Sequence, residues 1–228
     1  MAVCIRTEEK EHQYAQPWDD SDVILIVEND KFHVHSNILG FASSVFKTML
    51  SSEFKEGKEK VINFPGKSKV SVLILLNLIY PFDFTITDFS CCESLLELAR
   101  EYDIKGIMLL VDDFLTFQVK CSFDILKMAD SFDLTKTLKK HVEYYGETKY
   151  TKKDTFSNFV FANQDWGEIS QKTRLHILYK KTKKFNYGKY VKLHCDSKLC
   201  DHVLPVSPHE VVSLVEAIEA FGKMYESA

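Results

Sequence analysis

Between Asp22 and Leu115 the spacing of apolar residues switches from a period of two to a helical period, and this restricts the chain to a small sheet covered by helices. Asp22-Val-Ile-Leu-Ile-Val27 is a short β-branched run that reaches a polar turn at Asn29-Asp30. Lys31-Phe-His-Val34 follows, so the two runs read as a hairpin or as adjacent strands. Ile38, Leu39, Ala42, Val45, Phe46, Met49 and Leu50 then recur at helical spacing, with Ser43-Ser44 marking a break between two short helices. Val61-Ile-Asn-Phe64 returns to strand and ends at Pro65-Gly66. Val70, Leu73, Ile74, Asn77, Leu78 and Tyr80 form a helix that Pro81 terminates, because proline offers no backbone donor. Two more helices are signalled by Leu95, Leu96, Leu98, Ala99 and Tyr102, and by Ile107, Leu110, Val111, Phe114 and Leu115. The fold class is α+β.

A chain of 228 residues with 45% apolar content can bury a core as one large domain or two small ones. Charge divides it: residues 1–120 hold 12 Lys and Arg against 19 Asp and Glu, whereas residues 121–228 hold 17 against 14. Between Lys136 and Lys192 the imbalance is sharper, 14 basic against 5 acidic, and two charge habits suggest two modules. The longest apolar run, Val70 to Tyr80, is too short to cross a bilayer, and the first ten residues lack a secretory pattern. Cys4, Cys91, Cys92, Cys121, Cys195 and Cys200 show no paired framework, so free thiols and an intracellular setting, cytoplasmic or nuclear, are expected.

The ordered residues, from Asp22 and Phe32-His-Val-His-Ser-Asn-Ile-Leu39 through Ser43-Ser-Val-Phe-Lys-Thr-Met-Leu50 to Leu95-Leu-Glu-Leu-Ala-Arg-Glu-Tyr-Asp-Ile104 and Val111-Asp-Asp-Phe-Leu115, resemble the BTB/POZ domain. The likeness is greatest to the kind found in BTB-and-MATH proteins, although the residues before Asp22 are too few for a MATH domain. The resemblance implies a domain over 22–120, after an N-terminal segment 1–21, that dimerises and recruits other proteins. Asp22 and His35 stand at family-motif positions. After the histidine most members carry Lys or Arg, which in transcription-repressor members forms a charged pocket with the aspartate near the dimer seam. This chain has Ser36 there, so Asp22 must be solvated, hydrogen-bonded elsewhere or matched by another cation.

In members that serve as adaptors for cullin three, a hydrophobic-x-Glu motif follows the Phe-x-x-Met-Leu helix, and Phe54-Lys55-Glu56 occupies the matching place. The resemblance assigns cullin contact to Met49, Phe54 and Glu56: an aromatic ring fills a pocket and a carboxylate beside it fixes orientation. Independently of the family, Phe54 lies among Ser51, Ser52, Glu53, Lys55 and Glu56, where an aromatic residue has no evident core role. The alternative is that Phe54 folds back onto its own helix and Glu56 is an ordinary solvated charge. Self-association by the family route would use Trp18, Ile38 and Phe41 in an isologous homodimer.

Residues 121–228 read as mostly helical. Phe123, Ile125, Leu126, Met128, Ala129 and Phe132 give one helix. Ser131 or Asp133 offers a start for the next, whose stripe Leu134, Leu138, Val142 and Tyr145 closes at Gly146 as a C-cap candidate. This pair resembles the opening of a BACK-like extension, which enlarges the cullin-facing surface in adaptors. Thr151-Lys-Lys-Asp154 resembles a capping box, Trp166 to Tyr179 supplies a helix, Tyr190 to Leu193 a short extended stretch, and Ser207-Pro208 opens a last helix.

Nothing in the sequence carries an enzyme's chemistry. There is no Gly-x-Ser-x-Gly elbow, phosphate-binding glycine loop or His-Glu-x-x-His helix, and no catalytic, cofactor or metal residue is assigned. His194, Cys195, Cys200 and His202 have ligand chemistry but lack a Cys-x-x-Cys knuckle. Lys180-Lys-Thr-Lys-Lys184 is read as a solvated helix end rather than an import signal or a nucleic-acid patch. The expected protein is therefore a non-enzymatic homodimer that binds cullin three and a client of unknown identity. The alternative is a dimerisation scaffold or transcription-linked protein with no ubiquitin role.

Overall fold

The computed structural model describes residues 12–80, 84–147, 167–174, 176, 177 and 180. The capping box at Thr151, Trp166, the stretch at Tyr190, the His194–His202 cluster and the helix at Ser207 lie outside them. The chain divides into two compact units, Met1–Val119 and Lys120–Ala228.

In the first unit, β1 (Val23–Val27) pairs antiparallel with β2 (Asp30–Val34) and parallel with β3 (Val61–Phe64), giving the order β2-β1-β3. The turn passes through Glu28, whose φ of 56° is left-handed, so the strand pair closes one residue earlier than Asn29-Asp30 suggests. Strict alternation buries Val23, Leu25, Val27, Phe32, Val34, Ile62 and Phe64 on one face. Each such side chain contributes roughly 1.5–3 kcal/mol relative to exposure. The parallel β1–β3 pairing requires a crossover, which is made by α1 (Ser36–Ala42), α2 (Ser44–Met49) and α3 (Lys55–Glu59).

Ser43 separates α1 from α2 because its backbone is extended and its hydroxyl accepts the Phe46 amide at 3.0 Å as an N-cap. That hydroxyl also donates to the Tyr102 carbonyl. Phe46 stacks on Tyr102, with ring centres 4.7 Å apart, and Tyr102 on Phe64 at 4.9 Å, which joins the crossover to the sheet and to the later helices. α4 (Lys69–Ile79) buries Val72, Leu75 and Leu76, while α5 (Cys92–Glu101) and α6 (Lys105–Phe117) complete the unit as a helical hairpin.

In the second unit, α7 (Phe123–Ser131) is capped by Ser122, which accepts the Ile125 amide, and α8 (Thr135–Glu147) packs back on it. Leu126, Val142, Tyr145, Ile169 and Ile177 form the core. Two sequence expectations are corrected here. Asp133 does not start α8. It takes φ 53° and closes α7, so the Leu134 amide returns to the Ala129 carbonyl at 2.9 Å and α8 begins directly afterwards. Gly146 lies inside α8 rather than beyond it, buried where a Cβ would meet Lys180 Cβ at 2.5 Å. A close approach between segments, not a helix end, is what requires glycine there. Among the described residues no helix is long and apolar enough to cross a membrane.

Candidate partner-binding surface

Phe54 and Glu56 are presented by a tight corner. α2 ends at Leu50, the chain turns, and the Phe54 amide donates to the Ser51 carbonyl at 3.3 Å. Phe54 is the N-cap of α3, with extended backbone (φ −95°, ψ 157°), and Glu56 lies in the first turn, where the helix dipole favours a carboxylate. α3 is pressed so closely on the preceding turn that a Cβ on Gly57 would fall 1.7 Å from Ser51 O. Only glycine fits.

Phe54 is 45% exposed and stands outside the Phe46–Tyr102–Phe64 stack, while Met49 and Glu56 are half-buried. The ring therefore does not fill the core of its own unit. Lys55 and Glu59 form an exposed i,i+4 pair at 3.7 Å that adds little.

The three residues expected at a dimer seam differ in availability. Phe41 on α1 is 95% exposed, beside a shallow cavity of about 530 Å³ lined by Ser36, Asn37, Gly40, Lys47, Leu50 and Lys60. Ile38 is half-buried. Trp18 is engaged within its own unit: its indole N–H donates to the His33 carbonyl at 2.9 Å, and its ring meets His35 edge-on at 4.8 Å and Tyr80 at 5.6 Å.

Asp22 does not stand unpaired. The Ser36 amide donates to one carboxylate oxygen at 2.7 Å and the Ser36 hydroxyl to the other at 2.6 Å, so the residue that replaces the family's cation also satisfies the acid. Partial burial pushes the Asp22 carboxyl upward, but the Ser36 hydroxyl and amide, aided by Lys60, outweigh it and hold the group below the usual carboxylate range. His35 is structural. Its Nε2 lies 3.0 Å from the Asp19 carbonyl, which can only accept, so Nε2 carries the proton. Nδ1 is then free to accept the Tyr80 hydroxyl proton at 3.0 Å, while the Tyr80 oxygen accepts the His35 amide at 2.9 Å. Burial pushes the Tyr80 phenol up to about 12. Tyr14, fully buried, packs against Tyr80 with the rings tilted by 59° and their centres 5.4 Å apart, and its carbonyl accepts the His33 amide at 2.7 Å.

Sequence reasoning singled out neither Gly57 nor Tyr14. The available signal for Gly57 was a lone glycine in a charged segment directly after a hydrophobic-x-Glu motif.

This arrangement of a mixed three-stranded sheet, a helical crossover and a helical hairpin defines a protein-interaction module, and among the described residues no group of three or more His, Cys, Asp or Glu side chains could hold a metal ion. Residues 12–119 match the family model described as BTB/POZ domain, and over those residues the chain carries a BTB/POZ domain. It is similar to Kelch-like protein 26 of Danio rerio, with 28% identity over 63% of this chain and 22% of that protein. It also resembles BTB and MATH domain-containing protein 36 of Caenorhabditis elegans (28% identity, 51% of this chain and 36% of that protein). Against human Kelch-like protein 6 the identity is 31% over 69% of this chain and 24% of that protein. The chain thus spans about a fifth to a third of the length of these curated relatives.

Proposed function

We propose that the chain is a non-enzymatic, homodimeric substrate adaptor for a cullin-three RING ubiquitin ligase, acting in the cytoplasm or nucleus. The single observation that carries this reading is the outward display of the Phe54 ring beside Glu56, held by a corner that tolerates only glycine at position 57. The BTB/POZ match and the resemblance of the motif's place to that in cullin adaptors support the same partner. Phe54 would fill a cullin pocket, Glu56 would orient it through a charge-assisted bond, and Met49 would border the contact. Phe41 and Ile38 would form the centre of an isologous dimer seam, with Trp18 stiffening it from behind. Residues 121–228, beginning with a BACK-like helical pair, would receive the client, or the chain would pair with a MATH-containing relative that does.

The test is a binding titration of purified cullin three with the intact chain and with Phe54→Ala and Glu56→Ala. Phe54→Ala should weaken binding at least about tenfold and Glu56→Ala by less. Undiminished affinity in both variants, or no binding by a chain that sediments as a dimer, would replace this reading by a dimerisation scaffold with no ubiquitin role. A monomer at micromolar concentration would remove the seam.

A further inference from the structure

The surroundings of α1 carry opposite charge at its two ends. Where the helix begins, the loop 18–22 lies against it: the Asp19 carbonyl is 3.0 Å from His35 Nε2, and Asp22 is held by the Ser36 amide and hydroxyl. Lys60 offsets the charge of Asp22 there, whereas the exposed Asp19 and Asp20 face no such cation. Where the helix ends, the exposed Lys47 of α2 packs beside Gly40, whose Cβ would lie 3.6 Å from the Lys47 Cα, and lines the same cavity as Phe41. Among the described residues, the side chains of Asp19, Asp20 and Lys47 make no hydrogen bond or ion pair. The two ends are separated by the seven residues of α1, roughly 10 Å of helix, which carry Ile38 and the 95% exposed Phe41. We propose that this strip is self-complementary: a second copy lays its α1 antiparallel across the first, so that Asp19 and Asp20 of each copy meet Lys47 of the other and select this pairing. The premise is the Phe41 seam of the proposed function.

Symmetry gives the charge order its meaning. A twofold axis running across α1 reverses the second helix and brings its acidic end over the first copy's Lys47. An axis running along α1 sets like charge over like. Only the first arrangement gains from the charges, and it gains twice because the axis repeats each contact. An exposed ion pair adds little affinity by itself, so these contacts act mainly on the choice of partner, the association rate and the salt dependence, while Phe41 and Ile38 supply the apolar centre. Asp19 and Asp20 have a second explanation, since both are left-handed, at φ 30° and 36°, and aspartate tolerates that backbone. Asparagine tolerates it equally well, so replacing both acids by asparagine removes the charge and keeps the loop.

The experiment measures the dimer dissociation constant of the full chain by sedimentation, with thermal melts to show that each variant is folded. Raising NaCl from about 0.1 to about 0.5 M should weaken the dimer several-fold. Lys47→Glu should weaken it at least about tenfold, because acid then faces acid at both contacts. In a chain that also carries Asp19→Asn and Asp20→Asn, the same substitution should cost less than about threefold. Lys47→Glu chains mixed with Asp19→Lys/Asp20→Lys chains should form a heterodimer tighter than either homodimer, since both contacts are then attractive again. A chain that is monomeric at micromolar concentration removes the seam and the charge contacts together. A dimer that Phe41→Ala dissociates, but that Lys47→Glu weakens equally in both backgrounds or that shows no preference for the heterodimer, overturns the charge contacts and leaves the seam standing.

Discussion

The hairpins α5–α6 and α7–α8 are built alike thirty residues apart, yet they bury different chemistry. Ala99-x-x-Tyr102-Asp103-Ile104 and Ala129-x-x-Phe132-Asp133-Leu134 turn through a left-handed aspartate, φ 48° and 53°. In each the residue after it returns its amide to the alanine carbonyl, at 2.7 and 2.9 Å. Past the turn they diverge. Ile107 and Val111, buried in the first hairpin, correspond to Thr137 and His141, equally buried in the second. His141 Nδ1 lies 2.8 Å from the Thr137 carbonyl, but its buried Nε2 has no hydrogen-bond partner among the described residues. A shared turn motif therefore specifies hairpin geometry without specifying the core it closes on. The two units also use glycine differently: a Cβ at Gly57 would meet backbone, whereas one at Gly146 would meet the Lys180 side chain.

Exchanging these features tests how far the likeness extends. The largest effect is expected at the glycines. Gly57→Ala would put a Cβ 1.7 Å from Ser51 O and should destabilise the protein by about 3 kcal/mol, while Gly146→Ala, whose Cβ would meet Lys180 Cβ at 2.5 Å, should cost less because the overlap is smaller and alanine gains helix propensity. Denaturant melts of the two variants compare them directly, and equal losses would erase the distinction. Next, Val111→His, which places the second hairpin's residue in the first, should cost about 2 kcal/mol by burying an unsatisfied ring nitrogen. The reciprocal His141→Val should stabilise by about 1 kcal/mol, because it removes an orphan polar atom at the loss of one local hydrogen bond.

Acid offers a sharper version of that comparison. Burial holds the His141 imidazole below its ordinary value of 6.5, with Lys140 adding to the push and the Thr137 carbonyl opposing it. The unfolded chain then binds the proton more readily, so this contribution to stability is complete above about pH 6.5 and is lost as pH falls below it. Thermal melts at pH 7.5 and 5.5 should show a loss that His141→Val abolishes; a slope unchanged in the variant would assign the acid sensitivity elsewhere. The smallest difference is expected at the turns. Asp133→Gly relieves a left-handed aspartate and should stabilise by about 0.5 kcal/mol. Asp103→Gly should gain nothing, since Asp103 also accepts the Ser44 hydroxyl at 2.6 Å. Equal shifts in the two melts would remove that Ser44 bond from the account.

The sheet and long helices were legible because burial imposes a period, as with Val23, Leu25 and Val27 against Ile62 and Phe64. The break between α1 and α2 could be read from Ser43-Ser44 because a hydroxyl cap is a local signal. The exposure of Phe54 followed from its polar neighbours. The five-residue α3 is too short to show any period, and the need for glycine at position 57 arises from a carbonyl six residues earlier that only the folded corner brings near. Asp133 was misjudged because an aspartate that closes one helix and an aspartate that opens the next look alike in one dimension. The acceptor role of Asp22 was left open since Ser36, fourteen residues away, became its partner only through the β1–β2 pairing.

That serine has a further consequence. Where a lysine or arginine would bring a second full charge to the aspartate, Ser36 holds it through two neutral donors at 2.7 and 2.6 Å, and only Lys60 adds a charge that mobile ions can screen. The anchorage of α1, and with it the placement of Phe41, should therefore depend on ionic strength only weakly, so that raising salt leaves the helix seated.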